Sequence, residues 1–221
     1  MWWEKRIKHL PLLLLFLLFP FLVEAQTTLD GNDSAWVLYE KGVIAIEKGD
    51  YGQAVSLLQS ALLKKEKEMQ STADGEFIGF PEVDMALGDI YLQLEPELAE
   101  LHYKNAYELK ELLYIPEEKY AILYRLVDLY QYYPWLQKGE GSAEGYLELI
   151  IKEDEDYYNQ NFLSFKEKYL ETFIENGFDK LLELYRLDNL LVAPAHSELA
   201  LLLFKKDSIE NSQTAMEHYL F

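Results

Sequence analysis

The side chains that most often carry catalysis or hold metals give no frame for either here. Cysteine is absent, which removes disulfides, thiolate metal sites, cysteine nucleophiles and a lipid-modified cysteine anchor. Three histidines, His102, His196 and His218, lie beyond the N-terminal apolar stretch. None stands in H-x-x-x-H or H-E-x-x-H spacing, so zinc has no local ligand set. No G-x-S-x-G turn presents a serine nucleophile. No G-x-x-x-x-G-K-[ST] or G-x-G-x-x-G loop offers a cradle for phosphates. With 39 acidic residues, pairs of carboxylates arise from composition alone. The densest run, Glu153-Asp154-Glu155-Asp156, lacks the alternating ligands and central glycine of an EF-hand loop. It reads as acid placed before a helix starting at about Asp156, where the helix dipole favours negative charge. Asp30-Gly31-Asn32-Asp33-Ser34 reads in the same way as N-cap material. The expectation is a non-enzymatic protein with no catalytic residue, metal or cofactor.

Aromatic residues are the other conspicuous resource. There are 17 tyrosines, and many fall three or four apart, as Tyr120-Tyr124 and Tyr130-Tyr133 do. That spacing serves packing between helices, or a groove where it lies on an open helix face. The elements that must position them are helical throughout. Apolar spacing, Gly and Pro stops and polar caps predict helices over about Ser34–Lys48, Asp50–Gln70, Glu82–Leu94, Pro96–Tyr114 and Pro116 to the residue before Pro134. They continue over Ser142–Lys152, Asp156–Glu175, Phe178–Leu190, Ala195–Lys205 and Ser208–Leu220. The fold class is all-α, in antiparallel pairs.

The pairs repeat. Residues 35–66 read AWVLYEKGVIAIEKGDYGQAVSLLQSALLKKE, with Gly42, Gly49, Asp50, Tyr51, Ala54 and Ala61 at small and turn positions. A second copy carries Leu87-Gly88-x-x-Tyr91 and then Ala99, Tyr103 and Ala106. These segments resemble tetratricopeptide repeats, in which closely approaching helices need Gly or Ala where backbones meet. Fainter copies follow, giving repeats over about 35–70, 82–114, 117–152, 156–191 and 195–221. The resemblance implies one domain over 26–221, an irregular right-handed superhelical α-solenoid. It further implies a concave surface lined by Trp36, Tyr39, Val43, Ile46 and Glu47 of the first repeat. The second adds Glu82, Met85, Asp89, Leu92 and Gln93, and the third adds Ala121, Tyr124, Asp128, Gln131 and Tyr132. That set is aromatic and acidic without a base, which suits an extended segment or helix of another protein carrying apolar anchors and Lys or Arg. Two alternatives are a ligand-binding accessory protein of a transport system and a cell-wall hydrolase with scattered acids.

Residues 1–25 carry Lys5, Arg6 and Lys8, then an apolar run from Leu10 to Val23, then Val23-Glu24-Ala25. This is the charged, apolar, small-residue order of a secretory signal. The run is shorter than the ~20 residues of a membrane-spanning helix. The reading is an exported protein, placed in a bacterial periplasm, whose partner is another envelope protein and which has no membrane span after signal cleavage. The chain carries −19, and a field of that sign repels phosphate backbones, so nucleic acid is not expected as a partner. The exported protein is predicted to begin at Gln26. N-terminal sequencing of the envelope form checks this, and a retained Met1 in the membrane fraction would refute it.

Overall fold

The structure is a computed structural model that describes residues 33–70, 79–137, 141–206 and 209–220. The expected leader and cleavage site, and Asp30–Asn32, lie outside the described residues. Ten α-helices and two short 3-10 turns are present, and there is no strand among the described residues. The helices are α1 Ala35–Glu47, α2 Tyr51–Gln70, α3 Pro81–Tyr91, α4 Pro96–Glu108 and α5 Glu118–Tyr132. After them come α6 Ala143–Gln160, α7 Phe162–Asn176, α8 Phe178–Asp188, α9 Ala193–Phe204 and α10 Ile209–Leu220. They pack as the pairs α1–α2, α3–α4, α5–α6, α7–α8 and α9–α10.

Local chemistry explains the boundaries. The Ser34 hydroxyl accepts from the Val37 N–H and opens α1. Gly49, with φ at 76°, closes it, its N–H bonding Ile46 O while the Asp50 N–H bonds Ala45 O. That pair of bonds is the Schellman stop, which needs the left-handed conformation glycine adopts freely. Asp50 then caps α2 by accepting from the Gln53 N–H. Pro81 and Pro96 stand at the starts of α3 and α4, where a missing N–H costs nothing. Ser142 caps α6 through the Gly145 N–H.

The pairs meet where side chains are smallest. A Cβ on Gly42 would lie 2.8 Å from Leu58 Cδ2, and one on Gly88 would lie 2.4 Å from the Tyr103 ring. Ala54, Ala61, Ala99 and Ala106 are fully buried at the same contacts. One apolar cluster joins α1, α2 and α3 through Leu38, Leu58, Phe80 and Val83. A second joins α4, α5, α6, α9 and α10 through Tyr103, Leu126, Tyr130, Leu147, Ile150 and Leu199. Tyr91 packs against both.

Two features differ from the sequence expectation. First, the helix predicted to end at Lys152 runs on to Gln160, and the chain breaks at Asn161 instead. The acids at 153–156 therefore lie inside α6 and do not open a new helix. No Gly or Pro interrupts them, and Glu153 is anchored there: its carboxylate accepts from Lys110 Nζ, from Lys119 Nζ at 2.7 Å and from the Tyr107 hydroxyl at 2.7 Å. Second, α9 packs directly on α6, and α7–α8 meets the body chiefly where α7 follows α6. Neither α7 nor α8 contains a buried residue.

Ala54→Arg is expected to destabilise the first pair by ~1–3 kcal/mol from overpacking, with the stranded charge adding to that. A thermal melt followed by circular dichroism checks this, and a wild-type melt would place Ala54 outside the helix contact. A second expectation concerns Glu153. Burial pushes its carboxyl pKa up, but the hydrogen bonds from Lys110, Lys119 and Tyr107 outweigh burial and hold it down at about 2. An unfolded glutamate titrates at about 4.3, so the network stabilises the fold above that pH and is lost as pH falls through the lowered value. Glu153→Gln should lower the urea midpoint at pH 7, and its gap from wild type should narrow between about pH 4 and 3. A gap constant across that range would show that the carboxylate charge contributes nothing.

Candidate functional site

The first helices of the first three pairs, α1, α3 and α5, bring several of the groove candidates together. Trp36 stands edge-on to Tyr39, Phe80 and Tyr114, with ring centroids 5.6, 5.0 and 5.8 Å away. Tyr39 also meets Phe80 at 5.7 Å. Val43 and Ile46 are half-buried on the same helix, and Glu47 is exposed at its end. Trp36, Tyr39 and Ile46 rest against the first core cluster, so each has one side committed to packing and one edge open.

The second repeat's candidates divide. Met85 is buried and belongs to the second core cluster, so it has little surface to offer a partner. Asp89 is exposed but fully engaged. It accepts from Arg125 Nε at 2.7 Å, from Arg125 Nη2 at 2.9 Å and from the Tyr103 hydroxyl at 2.7 Å. The expected groove had no base, and Arg125 corrects that. It stands one residue from the groove position Tyr124, and its two-point contact to Asp89 ties α5 to α3. Asp89 is thus a clamp between neighbouring pairs.

The third repeat's candidates spread out. Tyr124 is half-buried against the core, and its hydroxyl donates to Leu191 O at 2.8 Å, which fastens α5 to the turn before α9. Asp128 is exposed, and partial desolvation raises its carboxyl pKa despite Arg125 nearby. Tyr132 is open to solvent at the end of α5. The remaining expected residues, Leu92, Gln93, Ala121 and Gln131, follow the same helices, and Gln131 Nε2 donates to Glu198 of α9 at 3.3 Å.

Glu82 stands apart. It is 3% exposed at the start of α3, and its Oε1 accepts the Tyr114 N–H at 2.8 Å. Its Oε2 is buried with no hydrogen-bond partner among the described residues. The Glu118 carboxyl, in the first turn of α5, has its pKa raised by burial and then by the nearby Glu82 charge.

The histidines show no metal geometry, and no group of three or more metal-ligating side chains converges among the described residues. His102 Nδ1 donates to Asp84 at 2.8 Å, with its ring stacked on Tyr91. His196 and His218 share a hydrogen bond between their Nδ1 atoms, 2.8 Å apart, joining α9 to α10. Burial and then the neighbouring ring lower His196 to about 4, which keeps it neutral near pH 7.

Sequence reasoning missed a second surface. The α7–α8 hairpin holds its own helices together through the Tyr169 and Tyr185 rings, with Asp188 of α8 accepting from Lys168 and Tyr169 of α7. Outside that seam, Leu163, Leu170, Phe173, Ile174, Phe178 and Leu182 remain exposed, with Leu163 72% and Ile174 71% open. At 100° per residue, Leu170, Phe173 and Ile174 lie on one flank of α7, and Phe178 and Leu182 on the matching flank of antiparallel α8. One apolar face results. The signal available in the sequence was the width of the apolar arc on both helices, more than one helix–helix seam can cover. Between the hairpin, the start of α5 and the end of α6 lies a cleft of about 770 Å³, lined by Tyr120, Tyr157, Tyr158, Phe165, Tyr169 and Tyr185 with Lys119, Asp154 and Asp188 among its polar groups.

No protein-family model matches the chain, and no solved structure matches it. The chain is similar to an uncharacterised protein of Treponema pallidum (strain Nichols), 28% identical over 140 residues. The match takes in 60% of this chain and 35% of that protein, so the chain spans well under half of its relative's length.

Proposed function

We propose that this chain is an exported, non-enzymatic adaptor of tetratricopeptide-like helix pairs, arranged as an irregular α-solenoid and serving another envelope protein. The observation that carries the reading is the α7–α8 hairpin. It buries none of its own residues, yet it presents large apolar side chains together on one face. Contiguous exposed apolar surface of that kind marks an interaction site. The aromatic edges of Trp36, Tyr39 and Tyr114 supply a second contact surface, and rings of this type are common anchors at interfaces. The Gly and Ala contacts at positions 42, 54, 61, 88, 99 and 106 support the repeat reading, since close pairing is what those small residues permit.

A second reading, a ligand-binding accessory protein, is favoured by the tyrosine-lined cleft beside the hairpin. Its size falls within the ~300–1,000 Å³ of small-molecule sites. Native mass spectrometry of protein taken from its own envelope separates the two, because a retained small molecule supports the ligand reading.

Phe173→Ser with Ile174→Ser tests the adaptor. Both side chains are exposed, so stability should stay within about 0.5 kcal/mol per substitution. Binding to the crosslinked envelope partner should weaken, since an apolar hot spot contributes ~2 kcal/mol or more. Equal partner capture by wild type and the double variant would refute the hairpin as the contact.

A further inference from the structure

The described residues hold four features beyond the core: the apolar hairpin face, the tyrosine-lined cleft, the His196–His218 pair, and the carboxylates Glu82 and Glu118. The last carries furthest. Glu82 is 3% exposed, and its Oε2 is buried without a partner. A lone buried carboxylate oxygen forfeits its hydration, a cost that a donor or a countercharge removes. Glu118 stands close enough to feel the Glu82 charge, which adds to burial in raising its own pKa. Both acids lie in the first turn of a long helix, α3 and α5, where the helix dipole favours the charged form.

Among the described residues the base that acts on them is Arg125, whose charge opposes the rise of the Glu118 pKa, but its donors are committed elsewhere. Arg125 has Nε and Nη2 on Asp89 and Nη1 on Ala121 O. Lys65 lies over the Phe80 ring, 5.4 Å from its centroid, on the α2 side. The remaining walls are the rings of Trp36, Tyr39 and Tyr114. Two carboxylates at one end and ring faces and edges around them suit an organic cation, which ring quadrupoles attract. A hard metal ion would require about six or more oxygens.

We propose that Glu82, Glu118, Trp36, Tyr39 and Tyr114 form a subsite for one cationic side chain, lysine or arginine, on the segment that docks across α1, α3 and α5. The proposal rests on the adaptor reading and gives its partner a chemistry. The base enters along the Trp36 and Tyr114 rings, its charged head meets the Glu118 carboxylate, and a donor from it completes Glu82 Oε2. Glu82 fixes the depth of the site, because Tyr114, whose ring forms part of the rim, is held through its own N–H.

The test uses the mature chain labelled with 5-fluorotryptophan, the Trp36 resonance being assigned through Trp36→Phe. The probes are acetyl-Gly-Lys-Gly-amide, acetyl-Gly-Arg-Gly-amide and the neutral acetyl-Gly-norleucine-Gly-amide. The expected result is a saturable shift of Trp36 with one or both basic probes, no shift of Trp135, and no response to the norleucine probe. Which basic probe binds more tightly assigns lysine or arginine. Glu118→Gln should weaken the binding at least tenfold. Its position at the half-exposed start of α5 leaves the fold intact, so the charge test survives if Glu82→Gln melts. Three outcomes overturn the subsite: no shift with either base, an equal shift with norleucine, or basic binding unchanged in Glu118→Gln. The adaptor reading fails separately, through the hairpin variant. A chain that binds its partner but ignores both basic probes would retain the adaptor and lose this subsite.

Discussion

Everything in this fold hangs on two helices approaching where one of them has no side chain. At Gly88 the room left by a missing Cβ is filled by the Tyr103 ring. That places the Tyr103 hydroxyl against Asp89, and Asp89 so held can receive Arg125 from the next pair. A packing choice in one hairpin thereby becomes an ionic tie to its neighbour. Gly42 and Leu58 play the same part in the first pair, with Ala54 and Ala61 buried alongside. Close-packed interiors tolerate little change in volume, so the spacing between helices, and with it the width of any groove they form, is set at these few positions.

The second theme is where the scarce bases go. The chain has 20 Lys and Arg against 39 acids, yet several of those bases are drawn inward. Lys110 and Lys119 converge on Glu153, Arg125 on Asp89 and Lys168 on Asp188. Each joins different helices. Half-buried pairs of this kind fix relative position more than they add free energy. The negative charge left over faces outward, where it repels other acids and favours a basic partner.

The helices were legible in the sequence because their stops are chemical: Gly49, Pro81, Pro96, Ser142 and Gly177 each punctuate the chain where a helix begins or ends. The boundary between α6 and α7 was not, because acids alone do not break a helix, and the interaction that holds Glu153 in α6 comes from α4–α5 residues far along the chain. The groove candidates were legible as a helix face but not as a set of roles. Met85 is turned into the core, and Tyr124 is committed to Leu191. Asp89 is neutralised by Arg125. None of these is decided by spacing within one helix. Glu82 was found at its position, but its setting depends on Tyr114, whose N–H reaches it from a later element.

The direct packing of α9 on α6 has a consequence for the order in which the chain assembles. Since the core of α4, α5, α6, α9 and α10 closes without α7–α8, the segment from Asn161 to Leu190 behaves as a long closed loop as far as that core is concerned. Lengthening such a loop is inexpensive, about 0.6 kcal/mol for each doubling. The body can therefore condense first, while the hairpin zips locally through Tyr169 and Tyr185 at its own pace. Its contacts then contribute little to the folding nucleus and are free to drift in composition. Selection acting on this stretch is answerable to what the hairpin touches and hardly at all to whether the rest of the chain folds.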